Sequence, residues 1–202
     1  MKSKLFAKRL FDVVASGIGL VLLSPIFLII SIWIKKDSEG PVFYRQTRVG
    51  KDGVLFRIHK FRTMRIDADK SGQLTIGHDR RITNSGEFLR KYKLDELAQL
   101  IDVFIGSMSL VGPRPEVPEF MNLYASEDRK LILSVKPGIT DKASIEMVDE
   151  NEILGKCDDP RQAYIDVIMP MKARYYIEYA QAHTFFGDVK LIFQTIFKVF
   201  TR

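Results

Sequence analysis

From Val13 to Ile34 the chain runs 22 residues without a charged side chain. As an α-helix this segment measures roughly 33 Å, enough for the hydrocarbon core of a bilayer. Pro25 sits near its middle, where its ring meets the carbonyl of Val21 and removes one helical hydrogen bond, a cost of about 3 kcal/mol in a regular helix. Ser24 can back-bond to a preceding carbonyl and support a bend. Lys2, Lys4, Lys8 and Arg9 precede the run, and Lys35 and Lys36 follow it. Positive charge resists translocation, so both ends are assigned to the cytoplasm. A lone spanning helix also lacks neighbours to satisfy the carbonyl freed at Pro25. The pattern predicts a re-entrant helix that enters, kinks at Ser24-Pro25 and leaves on the same face. A Pro-kinked spanning helix and a buried core helix are alternatives. A cleaved signal peptide fits less well, because the run is long and no small-residue cleavage site follows.

Beyond the apolar run the periodicity changes. PVFYRQ and VLFRIHKF, between Pro41 and Met64, are rich in β-branched and aromatic residues, and Asp52-Gly53 between them signals a hairpin turn. Residues 65–85 are polar and read as a loop. From Gly86 a helical pattern passes through Phe88, Leu89 and Tyr92, and a wide apolar face continues through Leu97, Leu100, Ile101, Phe104 and Ile105 to a stop at Gly106. GPRPEVP (112–118) carries three prolines and is an extended, stiff loop. Glu119–Val135 predicts a helix, as does most of Pro160–Ala182, with Pro170 interrupting or starting a segment. Phe185–Phe200 repeats aromatic and aliphatic residues at helical spacing, which suits a core helix or an amphipathic helix at a membrane surface. The sum is an α+β chain, mostly helical: a membrane helix over residues 1–36 and a catalytic region over 37–202, forming one continuous domain.

Charge sharpens this picture. The 202 residues carry a formal net charge of +6, but residues 1–65 hold thirteen Lys/Arg against four acids, 13 − 4 = +9. A basic front end beside an apolar run points to anionic head groups and phosphorylated ligands. Nucleic acid is the weaker partner, since the basic residues flank a membrane-grade segment rather than an exposed aromatic-basic face. Cys157 is the only cysteine, which rules out an intrachain disulfide and suits a reducing compartment.

The candidate chemistry lies in three places. Asp95-Glu96 follows Arg90-Lys91-Tyr92-Lys93 and precedes an apolar helical run. If a helix restarts here, its dipole keeps both carboxylates ionised. An ionised Asp can attack phosphorus or hold Mg²⁺, although acids at helix starts also serve as plain dipole partners. Lys60 and Arg62 would share a strand face and could grip one diphosphate, with a solvated basic surface as the alternative. Arg114, fixed between Pro113 and Pro115, offers a forked donor suited to phosphate oxygens. His59, His78 and His183 show no pairing with a nucleophile and read as structural or exposed. Neither a GxxxxGK[ST] phosphate loop nor a GxSxG elbow is present.

The ordered set KRLFD (8–12), SP (24–25), GPVFYRQTRVG (40–50), FRIHKFRTM (56–64), LRKYKLDEL (89–97), GSMSLVGPRPE (106–116) and KPGIT (136–140) resembles the bacterial sugar transferase family of small monotopic phosphoglycosyl transferases. The resemblance covers essentially the whole chain. It implies a membrane helix broken at Ser24-Pro25, Asp95 as nucleophile and Mg²⁺ ligand, and Glu96 as its catalytic and metal-binding partner. The family's phosphate-binding positions fall on Arg62, Arg90 and Arg114, with Lys60 nearby. The implied reaction is ping-pong. Asp95 takes a phosphosugar from a UDP-sugar, UMP leaves, and undecaprenyl phosphate accepts the phosphosugar at the cytoplasmic face of the bacterial inner membrane, with anionic lipids around it. A homodimer is left open, as are an inactive membrane scaffold and a basic single-pass nucleic-acid binder. Two departures stand out: Ala98 replaces a family proline three residues after the nucleophile, and Asp141-Lys142-Ala143-Ser144-Ile145 replaces a more regular segment after KPGIT. Asp149-Glu150-Asn151-Glu152 and Lys142 are guesses at sugar contacts, with a surface loop as the alternative.

Overall fold

The structure is a computed structural model and describes residues 2–66, 68, 79–147 and 150–201. The N-terminal helix α1 (Lys2–Asp37) is 36 residues long and the chain's one described helix long and apolar enough to cross a membrane. The helix does not end at Ser24-Pro25: its helical backbone runs through both residues. The reason is local. Pro25 leaves the Val21 carbonyl without its usual donor, and Ser24 Oγ donates to that same carbonyl at 2.8 Å.

The predicted hairpin forms. β1 (Phe43–Val49) pairs antiparallel with β2 (Leu55–Phe61), Phe43 opposite Phe61 and Val49 opposite Leu55. Its turn has positive φ at both Asp52 (56°) and Gly53 (79°), the backbone that Asp-Gly accepts at least cost. The helical pattern after Gly86 resolves into three pieces. α2 (Asn84–Lys91) is capped by Thr83, whose hydroxyl accepts from Gly86 N at 3.1 Å. Lys93 then adopts the left-handed conformation, and a 3₁₀ turn (Leu94–Gln99) leads into α3 (Leu100–Ile105).

Two short strands, β3 (Ser109–Val111) and β4 (Gly138–Thr140), pair in parallel. They place the proline loop 112–118 beside KPGIT. The backbones meet so closely that a Cβ on Gly138 would lie 2.1 Å from Gly112 N, so these two glycines are needed where the loops cross. The single helix expected over Glu119–Val135 is instead α4 (Pro118–Met121) and α5 (Ser126–Ile132), separated by a turn that sends Tyr124 into the core. There follow α6 (Lys142–Glu146), α7 (Glu150–Gly155), α8 (Pro160–Ala163), a π turn (Tyr164–Ile168), α9 (Met169–Ala182) and α10 (Phe185–Phe200). Pro170 lies in the first turn of α9. It has no N–H for the carbonyl of Asp166, and the chain ahead of it widens into the π turn.

One core cluster joins α4, α5, α7, the π turn and α9 through Phe120, Ile132, Leu154, Ile168 and Tyr176. A second joins α1 to β2, α2 and the 3₁₀ turn through Ile30, Ile34, Phe61, Leu89 and Ala98. α1 touches the rest of the chain along its length. Lys8 reaches Asp188 (2.6 Å) and the Val111 carbonyl (3.1 Å). Arg9 donates to the carbonyls of Val103 (2.6 Å) and Phe104 (2.9 Å), and Asp12 accepts from Leu110 N (3.1 Å). Phe104 lies against Gly17 and Leu100 against Gly19. Phe27 meets Phe61 edge-on with centroids 5.2 Å apart, and Asp37 accepts from both Ser85 N and Ser85 Oγ at 2.8 Å. The opposite side of α1, with Val21, Leu22, Leu28 and Ile29, is exposed, and so are Phe186, Phe193 and Phe197 on α10.

Candidate active site

The dyad lies where the chain reverses. α2 ends at Lys91, Lys93 turns left-handed with φ 56°, and Asp95 and Glu96 occupy the first turn of the 3₁₀ segment. Ala98, at the position where a proline was expected, is fully buried against Phe61 and Leu89 and anchors the turn. A small apolar side chain serves there as a packing contact, so the missing proline does not displace the carboxylates.

The two carboxylates have different surroundings. Glu96 is held by cations on both sides: Lys60 Nζ donates to Oε1 at 3.0 Å, Arg114 Nη1 donates to Oε2 at 3.1 Å, and Arg114 Nη2 donates to Oε1. Burial acts to raise the Glu96 pKa, but Arg114 and Lys60 outweigh it and hold this carboxyl well below the usual range. Asp95 is buried, and its carboxylate accepts no hydrogen bond from any described residue. Burial lifts its pKa above the ordinary aspartate range against the pull of Lys60, with Glu96 adding to the rise and Arg90 and Lys93 opposing it. The helix-start argument had the dipole keep both acids ionised; at Glu96 it is Arg114 and Lys60 that hold the charge, and at Asp95 desolvation prevails.

The basic residues divide in the same way. β2 ends at Phe61, so Lys60 and Arg62 do not share a strand face. Lys60 turns to Glu96. Arg62 is buried and donates from Nε to the Pro41 carbonyl (2.7 Å), from Nη1 to Ser38 Oγ (2.8 Å) and from Nη2 to the Ser38 carbonyl (2.9 Å). This clamps the segment leaving α1 to the end of the hairpin. Arg90 on α2 donates from Nε to Thr63 Oγ1 at 2.9 Å, and its charge also acts on Asp95.

All six residues line one cavity of about 1310 Å³, open on one side. α1 contributes Leu23 and Ile26 to its wall, and α10 contributes Ile192, Thr195 and Ile196. The cavity also has polar walls that periodicity did not reveal: Arg48, Glu116, Tyr164 and Lys172. Glu116 lies in the GPRPE stretch and Arg48 in GPVFYRQTRVG, but Tyr164 and Lys172 carry no local signal. Among the guesses at sugar contacts, Glu150 lines the cavity, whereas Lys142 is exposed and pairs with Glu178 at 3.2 Å. Asp149 and the side chains of Asn151 and Glu152 lie outside the described residues, as does His78. In the divergent segment Asp141 caps α6, accepting from Ser144 N (2.9 Å) and Ser144 Oγ (2.6 Å), a role that Asp-x-x-Ser does signal. His59 is structural. Its Nδ1 and backbone N both lie 2.8 Å from the buried Asp102 carboxylate. Arg45 approaches Nε2 at 2.6 Å and can only donate, so Nε2 accepts and Nδ1 carries the proton.

Comparison with known proteins gives the same frame. Over 197 residues the chain is 39% identical to the UDP-glucose:undecaprenyl-phosphate glucose-1-phosphate transferase of Klebsiella pneumoniae, covering 96% of this chain and 40% of that protein. It is 34% identical over 199 residues to the UDP-N-acetylgalactosamine-undecaprenyl-phosphate N-acetylgalactosaminephosphotransferase of Aeromonas hydrophila, covering 97% of this chain and 44% of that one. It is also 34% identical over 214 residues to the exopolysaccharide production protein PSS of Rhizobium leguminosarum bv. phaseoli, covering 98% of this chain and 97% of the relative. The chain thus spans about 40% of the length of the first two of these relatives. The sequence model described as bacterial sugar transferase matches residues 3–202, so the chain belongs to the bacterial sugar transferase family.

Proposed function

We propose that the chain transfers a sugar 1-phosphate from a UDP-sugar to undecaprenyl phosphate, with Asp95 as the nucleophile. The observation that carries this reading is the asymmetry of the dyad. Asp95 is buried on the cavity wall, its carboxylate free of hydrogen bonds from described residues, beside a Glu96 whose charge Lys60 and Arg114 compensate. An Asp95 oxygen attacks the β-phosphorus of the donor. The bond from β-phosphorus to the bridging oxygen breaks, and UMP departs with the electron pair. An oxygen of the acceptor phosphate then attacks the same phosphorus, and the aspartyl oxygen leaves to restore the carboxylate. Charge in such a transfer spreads over phosphoryl oxygens, so positioning and cations account for most of the catalysis. Arg114, Lys60 and Arg90 supply fixed positive charge around the reacting group.

The donor set fits Mg²⁺ in a limited way. Magnesium is held by one or two carboxylates together with substrate phosphate oxygens. Asp95 is available as a ligand, whereas both Glu96 oxygens are engaged by Arg114 and Lys60. Mg²⁺ would be held by Asp95 and the diphosphate, and when bound it would neutralise diphosphate charge.

The contacts of α1 support a monotopic placement with both helix ends on the cytoplasmic face. Lys8 to Asp37 spans roughly 44 Å of helix, more than the hydrocarbon core of about 30 Å. A spanning helix would put the partners of Lys8 (Val111, Asp188) and of Asp37 (Ser85) on opposite sides of the bilayer. Those partners belong to one packed region. Seated along one leaflet, α1 would hold the cavity at head-group level, where a soluble donor and a lipid acceptor can both enter. Incubating the protein with individual UDP-sugars and undecaprenyl phosphate, and measuring UMP release, tests the proposal. Release that requires both substrates for sustained turnover supports it, and no release with any donor contradicts it.

A further inference from the structure

The cavity extends past the dyad into a second polar cluster that the phosphoryl chemistry does not use. Arg114 is followed by Pro115 and Glu116 on the stiff loop. Arg48 adjoins this stretch, donating from Nη1 to the Pro115 carbonyl at 3.0 Å, while its Nε is buried without a partner among the described residues. Glu116 is 4% exposed and accepts from Tyr164 OH at 2.8 Å. Lys172, 6% exposed, reaches Tyr164 OH at 3.4 Å and Glu150 Oε2 at 2.8 Å. Glu116, Tyr164, Lys172 and Glu150 come from the proline loop, the π turn, α9 and α7, and all line the cavity. The hydroxyls of Tyr124 and Tyr176 are buried nearby without hydrogen-bond partners among the described residues. Desolvation raises the pKa of both, assisted by the Glu116 charge at Tyr124 and by Asp141 and then Glu116 at Tyr176.

The composition of the cluster selects its ligand. Glu116 and Glu150 balance the charges of Arg48 and Lys172, which leaves no excess positive charge for another phosphate. A flat base would need an open aromatic face, but the Tyr164 ring already has Lys172 Nζ at 4.9 Å and the Phe120 ring at 4.7 Å. A polyhydroxylated neutral ring fits, since each hydroxyl can donate to Glu116, Glu150 or the Tyr164 oxygen and accept from Lys172. The position agrees as well. Two residues of extended chain, about 7 Å, separate Arg114 from Glu116, and the sugar is the group attached directly to the β-phosphate.

We propose that Glu116, Tyr164, Lys172 and Glu150 form the subsite for the donor's sugar ring and discriminate between its hydroxyl epimers. This rests on the phosphosugar-transfer reading above. A site built to bond a hydroxyl rejects analogues that misplace it far more strongly than an apolar pocket does. The π turn, a feature often found at functional sites, sets Tyr164 at Glu116.

The test measures binding in an Asp95→Asn background, where the covalent step is blocked. Dissociation constants are obtained for UDP-glucose, UDP-galactose, their N-acetylated counterparts and UMP. The proposal expects one of these donors to bind better than its epimer. Glu150→Gln and Tyr164→Phe should each weaken that donor roughly 10-fold or more and bring the epimer ratio towards one, with UMP affinity unchanged within about twofold. Glu150 is only half-buried, so Glu150→Gln keeps the subsite testable even if Tyr164→Phe fails to fold. An unchanged epimer ratio in the folded variants overturns the subsite. A UMP affinity that falls in step with donor affinity assigns the cluster to the nucleotide and also overturns it. Persistent turnover by Asp95→Asn itself would refute the nucleophile assignment and leave the epimer ratios to judge the subsite separately.

Discussion

Arg114 grips both carboxylate oxygens of Glu96, while the carboxylate of Asp95, the preceding residue, is buried without a hydrogen bond from any described residue. Of two adjacent acids, one is neutralised in place and the other is left available to react. The arrangement has a consequence for stability. A buried carboxylate without hydrogen bonds is unfavourable in its charged form. Asp95→Asn should therefore abolish turnover while leaving thermal stability at neutral pH equal to or above wild type, as measured by melting in detergent or nanodiscs. A clear loss of stability would mean that Asp95 supports the fold.

The pH dependence follows from the same pair. Burial raises the Asp95 pKa, with Glu96 assisting, and Arg114 and Lys60 keep Glu96 charged to low pH. As pH falls, Asp95 is the dyad member that gains a proton, and its nucleophilicity is lost. The acid limb of kcat/KM should show one protonation, at a pH above the ordinary aspartate value of about 3.9. For folding the sign is opposite. The folded state takes up this proton at higher pH than the unfolded chain, so Asp95 contributes stability that is present at low pH and lost as pH rises through its folded value. In Asp95→Asn that stability loss should disappear.

Much of this fold was readable locally. Asp52-Gly53 announced a hairpin because two consecutive positive φ angles suit that pair. Ser24 was expected to back-bond to a preceding carbonyl in support of a bend, and the carbonyl it bonds is the one that Pro25 strands. The acids at a helix restart were visible from the basic stretch before them and the apolar run after them. β3 and β4 were missed because three residues are too few to show a period, and the long helix expected over Glu119–Val135 was a false continuity across Tyr124. The far wall of the cavity was hidden for another reason. Glu116 and Tyr164 are 48 positions apart and meet only through tertiary packing. The strand logic also failed at Arg62, because β2 stops one residue earlier.

The basic residues should separate by role. Arg114→Ala removes a positive charge that the proposed mechanism sets on the transferring phosphoryl group, and a charge-assisted bond there is typically worth about 1.5–3 kcal/mol, so kcat/KM should fall roughly 10- to 150-fold. Arg114→Lys should recover only part of this, since a point charge cannot engage both oxygens of Glu96. Arg62→Ala should instead lower the melting temperature, because three donors to Ser38 and Pro41 are lost, with a smaller effect on the KM for donor. A large rise in KM at unchanged stability would place Arg62 on the diphosphate.

Topology can be read from the two ends of α1. Single cysteines placed before Lys2 and just after Lys36 should label from the same, cytoplasmic side. Replacing Pro25 with Leu and Ser24 with Ala should shift part of the population towards a spanning state and reduce activity. That state would also have to break the contacts of Lys8, Arg9 or Asp37 with the rest of the chain. A wild-type N-terminus accessible from outside would replace this account with a kinked spanning helix.

The most direct test of the central claim is intact mass of the protein after incubation with a UDP-sugar and no lipid acceptor. The account predicts an added sugar phosphate, located on Asp95 by peptide mapping, absent from Asp95→Asn and discharged when undecaprenyl phosphate is supplied. An unmodified protein that nevertheless turns over with sequential kinetics would contradict the covalent step.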